Sequence, residues 1–361
     1  MSRFWSEAVR GLSPYVPGEQ PRHPRLVKLN TNESPYAPSP RVLEAVASAG
    51  ADALRRYPDP SSTALRETIA GHFALAPEQV FVGNGSDEVL AHAFLGLLKH
   101  PRPLAFPDIS YSFYPVWCGL YAIEALRVPL DAALAIDVDA FPSDCGGIIL
   151  PNPNAPTGRL LPLAEIERLV AAHGDCVVVV DEAYIDFGGV SAAALVGLYP
   201  NLLVVQTLSK SRALAGLRVG YALGDTGLIE GLNRVKDSFN SYPLDAIAQR
   251  AAVASFEDRE WFDDCCRRVV ATRDRVTAAL EALGFSVLPS AANFVFARPP
   301  AGAAAALFAA LRAEGIIARH FDRPRISEYL RISVGTEEEM DRLLAAVQAW
   351  CEMAGGTAAR P

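Results

Sequence analysis

Apolar positions along the chain follow two rhythms. From about residue 60 to residue 225, short unbroken apolar runs alternate with stretches whose apolar residues recur at helical spacing. Runs at 80–82, 104–106, 148–150, 177–180, 202–206 and 217–222 are each bounded by Gly, Pro, Asp or Ser, and predict strands. The four consecutive valines at 177–180 predict a strand covered on both faces, because a half-exposed strand would alternate apolar with polar residues. The resulting class is α/β, a three-layer α/β/α domain around a mostly parallel sheet. After Asp225 helical patterns dominate as far as Leu283; then 286–288, 293–297 and 329–333 read as strands around a helix at 303–314, a smaller α+β domain. Thr336 with Glu339 predicts a capping box for a last helix that runs towards Glu352, with 355–361 expected to fray. The expected division is an N-terminal arm belonging to the small domain at 1–36, the large domain at 37–257 and the rest of the small domain at 258–361.

A chain of 361 residues, half of them apolar, can fill cores of this size. The formal charge of −8 leaves no basic field for nucleic acid, so an anionic ligand must be held by a few local arginines. The six cysteines show neither metal-ligand nor disulfide-framework spacing, which predicts reduced thiols in a cytoplasmic protein and no metal site. The opening segment carries Pro14, Pro17, Pro21 and Pro24 among polar residues and signals no secretion. The longest apolar run, 301–311, is too short to span a bilayer and predicts a buried amphipathic helix.

Ligands of open parallel sheets bind at the carboxyl ends of the strands, so the residues following each apolar run are the ones to inspect. After Val82 the run Gly83-Asn84-Gly85-Ser86-Asp87-Glu88 turns into a helix whose free amides form either a plain capped turn or a phosphate cup. Asp181 follows the valine run directly, and a buried carboxylate there needs a partner: as a helix cap, a metal ligand or the anchor of a cationic cofactor. Lys210, in Thr207-Leu208-Ser209-Lys210-Ser211, follows another buried strand and is flanked by hydroxyls suited to phosphate oxygens, with Arg218 eight residues on. A lysine in such a setting is either a solvated surface group or a nucleophile and base. The turn 150–158 is too rich in proline for helix or strand and brings amide side chains to the same edge.

Five motifs occur together: Asn84-Gly85-Ser86-Asp87-Glu88, Pro156-Thr157-Gly158, Asp181-Glu182-Ala183-Tyr184, Ser209-Lys210 and Leu330-Arg331-Ile332-Ser333-Val334-Gly335-Thr336. In this order and spacing the chain resembles the fold-type I aminotransferases that use pyridoxal 5'-phosphate. Pro14-Tyr15-Val16-Pro17-Gly18, Arg319-His320-Phe321 and Pro324-Arg325-Ile326 point within them to the histidinol-phosphate aminotransferase family. The resemblance implies that Lys210 joins the cofactor aldehyde covalently, Asp181 pairs with its ring nitrogen, Tyr184 donates to its phenolate oxygen and Tyr111 stacks on the ring. It implies a phosphate held by Ser86, Asp87, Thr207, Ser209 and Arg218, with Tyr57 from the second subunit of a homodimer. Arg331, Arg319 and Tyr15 would bind substrate. One departure stands out: many relatives have Asn before Pro-Thr-Gly, and its amide touches the phenolate oxygen. Here that residue is Ala155, and Asn154 is the expected substitute.

The implied reaction is L-histidinol phosphate and 2-oxoglutarate to imidazole-acetol phosphate and L-glutamate. Rivals on the same scaffold are an aromatic amino acid aminotransferase and a phospho-amino-acid decarboxylase. A DNA-binding regulator with an aminotransferase-like domain is a further alternative, for which the short N-terminus and acidic balance leave no DNA-reading module.

Overall fold

In the computed structural model, which describes residues 2–20 and 25–357, the valine run lies inside a seven-stranded sheet. A two-residue strand, β1 (Val27–Lys28), precedes it. The sheet is built from β2 (Val80–Asn84), β3 (Leu104–Pro107), β4 (Ala125–Val128), β5 (Gly147–Pro151), β6 (Val177–Asp181), β7 (Leu202–Thr207) and β8 (Val219–Gly224). Their order is β2-β8-β7-β6-β5-β3-β4, and β8 alone runs antiparallel to its neighbours. Alternate residues of β6 enter opposite layers: Val178 and Val180 pack with Leu65, Ile69 and Ala248, whereas Val179 packs with Val89, Phe94 and Trp117. Each valine so buried contributes roughly 1.5 kcal/mol or more, which is why an unbroken run is favoured here over an alternating one.

Two strand readings need correction. The run at 217–222 is displaced, because Ala215–Leu217 form a 3-10 turn and Arg218 takes a left-handed backbone (φ 54°), so β8 starts at Val219. Edge strand β4 was not foreseen, since three of its four residues are exposed and no apolar run marks it.

The smaller unit is a four-stranded antiparallel sheet of β9 (Ser286–Val287), β10 (Phe294–Arg298), β12 (Arg319–His320) and β13 (Leu330–Ser333), ordered β12-β13-β10-β9. Between them in sequence, β11 (Ile316–Ile317) pairs in parallel with β1. Val27 and Leu29 thereby join Val295, Leu307, Ile332 and Leu343 in one core. The alanine-rich helix is Ala304–Ala313, with Ala304, Leu307 and Leu311 buried. The capping box forms: the Thr336 N–H donates to Glu339 Oε2 (2.8 Å) and the Glu339 N–H to Thr336 Oγ1 (3.2 Å). The helix it starts, Glu337–Thr357, outruns the expected end near Glu352 and includes 355–357. Residues 358–361 of the expected frayed end, and Pro21 and Pro24, lie outside the described residues. Among the described residues no helix is long and apolar enough to cross a membrane.

Candidate active site

The register of the large sheet puts the loaded strand ends side by side. Pro151 pairs with Asp181, Asp181 with Val205, Thr207 with Gly220 and Asn84 with Val219. Because β8 runs the other way, its first end, carrying Arg218, arrives at the same edge as the last ends of β2, β5, β6 and β7. A cavity opens there, lined by Ser86, Asp87, Tyr111, Asp181, Tyr184, Thr207, Ser209, Lys210 and Arg218 from the large sheet's loops and by Tyr15, Arg319 and Arg331 from the rest of the chain.

One end of the cavity is a cup for an anion. Helix Gly85–Gly96 begins there, and its first N–H groups have no partner inside the helix. The helix start lies hard against β8: a Cβ on Gly220 would come within 2.2 Å of the Ser86 nitrogen. Gly85 has φ +79°, and a Cβ there would meet Arg218 Nη2 at 2.6 Å. Arg218 donates to Asp87 Oδ2 (3.1 Å) and Ser209 Oγ (3.4 Å), while the Tyr111 hydroxyl donates to Asp87 Oδ1 (3.0 Å). The Asp87 carboxylate is thus engaged in orienting Arg218, and its direct offer to an anion is its backbone N–H.

At the centre, Asp181 is 5% exposed. Its Oδ2 accepts from Tyr114 (2.9 Å), and its Oδ1 is buried with no partner. Burial pushes the carboxyl up to about 6, opposed by the Tyr114 hydroxyl and the Ala183 N–H. The neighbouring Glu182 turns away to Ser191, the Ala192 N–H and Gln206, and takes no part in the cavity. Lys210 Nζ donates to the Thr31 carbonyl (2.9 Å) and lies 5.8 Å from the centre of the Tyr184 ring. The Tyr184 hydroxyl accepts from Asn32 Nδ2 (3.0 Å).

The far wall is cationic. Arg319 and Arg331 are register partners on β12 and β13, which places both side chains on one face of the sheet. Among the described residues neither forms an ion pair with a carboxylate; Arg331 donates to the Asn30 carbonyl (2.8 Å), and its Nε is buried without a partner. Burial, with Arg319 adding to it, holds the Arg331 guanidinium below its usual range. Tyr15 reaches this wall from the N-terminal arm and stacks on Phe113 (4.7 Å).

Two expected residues are not in the cavity of the single chain. Asn154 is fully buried outside it, its Nδ2 donating to the Ile109 carbonyl and Thr157 Oγ1 (both 3.0 Å), and Ala155 lines the wall instead. Tyr57 is 82% exposed and stacks on Tyr242 (4.6 Å). Two further residues at this site carry no role that the sequence alone reveals. Tyr114 follows Tyr111 by less than one helical turn but carries no motif signal, and Asn32 sits in Leu29-Asn30-Thr31-Asn32-Glu33, whose spacing alone suggests no role.

An amine, an orphaned carboxylate oxygen, an aromatic face and an anion cup now lie in one place. This set fits a flat ring bearing an aldehyde, a protonated ring nitrogen and a phosphate, the groups of the cofactor that the sequence motifs imply.

Comparisons with known proteins bear on the family. The model of the family "aminotransferase class I and II" matches residues 24–347. The chain is 64% identical to histidinol-phosphate aminotransferase 2 of Thiobacillus denitrificans, over 97% of this chain and 98% of that one. It is 61% identical to histidinol-phosphate aminotransferase of Aromatoleum aromaticum, over 96% and 99% of the two chains. The crystal structure of histidinol-phosphate aminotransferase from Sinorhizobium meliloti in complex with pyridoxal-5'-phosphate superposes with a TM-score of 0.87 at 24% identity, covering 98% of this chain and 99% of that one. With a family model spanning most of its length and near-full-length relatives at this identity, the chain belongs to the class I and II aminotransferases, in the histidinol-phosphate aminotransferase family.

Proposed function

We propose that the enzyme transfers an amino group from L-histidinol phosphate to 2-oxoglutarate, using pyridoxal 5'-phosphate held in the cavity described. The observation that carries the substrate is the pair Arg319 and Arg331, side by side with no carboxylate among the described residues to neutralise them. Like charges in register cost stability unless an anion arrives, and a phosphate ester or a second carboxylate supplies it, with planar guanidinium groups binding either in two-point fashion. Tyr15 closes the same wall.

Lys210 would hold the cofactor through its amine and Asp181 Oδ1 would meet the ring nitrogen. Ser86, the Asp87 N–H, Thr207, Ser209 and Arg218 would take the phosphate, and Tyr111 and Tyr184 would face the ring and its phenolate oxygen. When bound, the cofactor supplies a sink for the charge left on the substrate α-carbon. Asp181, ionised beside a cation, would keep that ring nitrogen protonated, and the Lys210 amine, where free, would serve as base and then acid for the proton of the substrate α-carbon. Tyr111 and the cavity walls exclude water from that transfer. Tyr57 lies on an exposed aromatic patch with Tyr242 and completes the phosphate cup of the other subunit in a homodimer. We also infer that 1–36 and 258–361 form the small domain around 37–257, and that the enzyme is cytoplasmic, in keeping with its six free cysteines.

The test is a comparison of specificity constants with 2-oxoglutarate as acceptor. Histidinol phosphate should exceed phenylalanine and tyrosine by at least about a hundredfold, since a half-buried arginine pair suited to a doubly charged phosphate discriminates on that scale against a single carboxylate. Equal or reversed constants sink the substrate assignment, and release of carbon dioxide without a keto product would identify a decarboxylase.

A further inference from the structure

In the pattern that the chain resembles, an asparagine amide before Pro-Thr-Gly meets the phenolate oxygen of the cofactor. Ala155 stands at that position, and Asn154 is turned away to Ile109 and Thr157. A buried amide reaches the same neighbourhood from another part of the chain. Asn32 is 1% exposed, in a left-handed backbone (φ 56°), and is held on every side. Its N–H donates to Ser333 Oγ (2.9 Å), its carbonyl accepts from Asn293 Nδ2 (3.0 Å), and its Oδ1 accepts from the Ser333 hydroxyl (2.8 Å). Ser333 is buried, and among the described residues Asn32 Oδ1 is the one acceptor its hydroxyl hydrogen reaches, which orients the amide with Oδ1 towards Ser333. The remaining group, Nδ2, donates to Tyr184 Oη at 3.0 Å.

A tyrosine hydroxyl has a single hydrogen. With its accepting side filled by Asn32, the Tyr184 hydroxyl directs that hydrogen into the cavity. We propose that Asn32 is a positioning residue: it fixes Tyr184 as a hydrogen-bond donor to the cofactor's phenolate oxygen, in place of the amide that Ala155 lacks. The small-domain strand β13 thereby takes part in cofactor chemistry through Ser333. The proposal rests on the cofactor placement given above.

Asn32→Asp keeps the oxygen that Ser333 bonds but replaces the donor by an acceptor, so the Tyr184 hydrogen turns back to residue 32. The readout is the pH midpoint of the visible absorption of the lysine-linked cofactor, which rises when the phenolate oxygen loses a donor. Asn32→Asp should raise it by about one pH unit, the scale of one hydrogen bond to an ionised oxygen. Tyr184→Phe should raise it at least as far, and in the Tyr184→Phe background Asn32→Asp should add only the smaller effect of its new charge. Asn32→Gly, which a left-handed backbone accepts without strain, should shift the midpoint in the same direction without a new charge, and it carries the same cycle if the aspartate variant does not fold. An unmoved midpoint in the folded Asn32 variants, or a full shift that persists without the Tyr184 hydroxyl, overturns the proposal. A colourless unsubstituted enzyme, incubated with the cofactor, would instead refute the cofactor placement itself.

Discussion

The Tyr114 hydroxyl donates to Asp181 Oδ2 at 2.9 Å and leaves Oδ1 buried and unpaired, in a side chain that lines the cavity. A carboxylate held by one oxygen cannot swing its other oxygen away from a ligand. Leaving that oxygen without a partner costs on the order of 1–3 kcal/mol, a cost that a cationic ring nitrogen would relieve on binding.

The pH dependence of stability follows from the same pair. Burial lifts the Asp181 carboxyl from 3.8 to about 6, so the folded chain holds this proton more tightly than the unfolded one. The stability it contributes is whole below pH 3.8 and is lost as pH rises through about 6, on the order of 3 kcal/mol in all. In thermal melts of cofactor-free protein, Asp181→Asn should therefore gain on the parent between pH 4 and pH 7. A difference in melting temperature that is the same at both pH values would count against this account.

Lys210→Ala removes both the covalent anchor and the proton carrier. Turnover should fall by at least about a thousandfold, and borohydride should no longer tag the peptide around residue 210. A labelled peptide elsewhere in the chain would show that another amine holds the cofactor.

Gly220→Ala tests the anion cup without removing a chemical group from it. The added methyl would sit 2.2 Å from the Ser86 nitrogen and 2.5 Å from the Gly85 carbonyl carbon, both backbone atoms that move only with the helix start. Overpacking of this kind costs about 1–3 kcal/mol, and the cofactor dissociation constant should rise at least about tenfold. Unchanged cofactor affinity in a titration would argue that the helix start does not hold the phosphate.

The two arginines should separate by substrate. Arg331→Lys keeps the charge and loses the planar fork, so kcat/KM should drop roughly a hundredfold for both glutamate and histidinol phosphate. Arg319→Ala should fall harder on the phosphorylated substrate. Equal losses for the two substrates in Arg319→Ala would remove its assignment to the phosphate.

Subunit exchange tests the role of Tyr57. If each cup borrows Tyr57 from its partner, a mixed population of Lys210→Ala and Tyr57→Ala chains contains sites with both residues intact. Its activity should exceed that of either parent, whereas a simple average of the two would place Tyr57 outside the partner's site.

Local patterning determined much of this molecule before any contact was known. The valine run ahead of Asp181, the hydroxyl-flanked Lys210 and the Thr336–Glu339 box are legible because burial on two faces, strand-end chemistry and helix capping each act over a few neighbouring residues. What sequence could not decide is which distant groups share one oxygen or one face. The Tyr114 bond to Asp181 spans 67 positions, the Asn32 bond to Tyr184 spans 152, and Asn32 meets Ser333 across 301. The arginine pair depends on the register of two short strands, and Asn154, adjacent in sequence to the expected site, turns away because the Ile109 carbonyl and Thr157 hydroxyl claim its amide. Side-chain direction follows from such long-range packing and hydrogen-bond satisfaction, which no short window of residues contains.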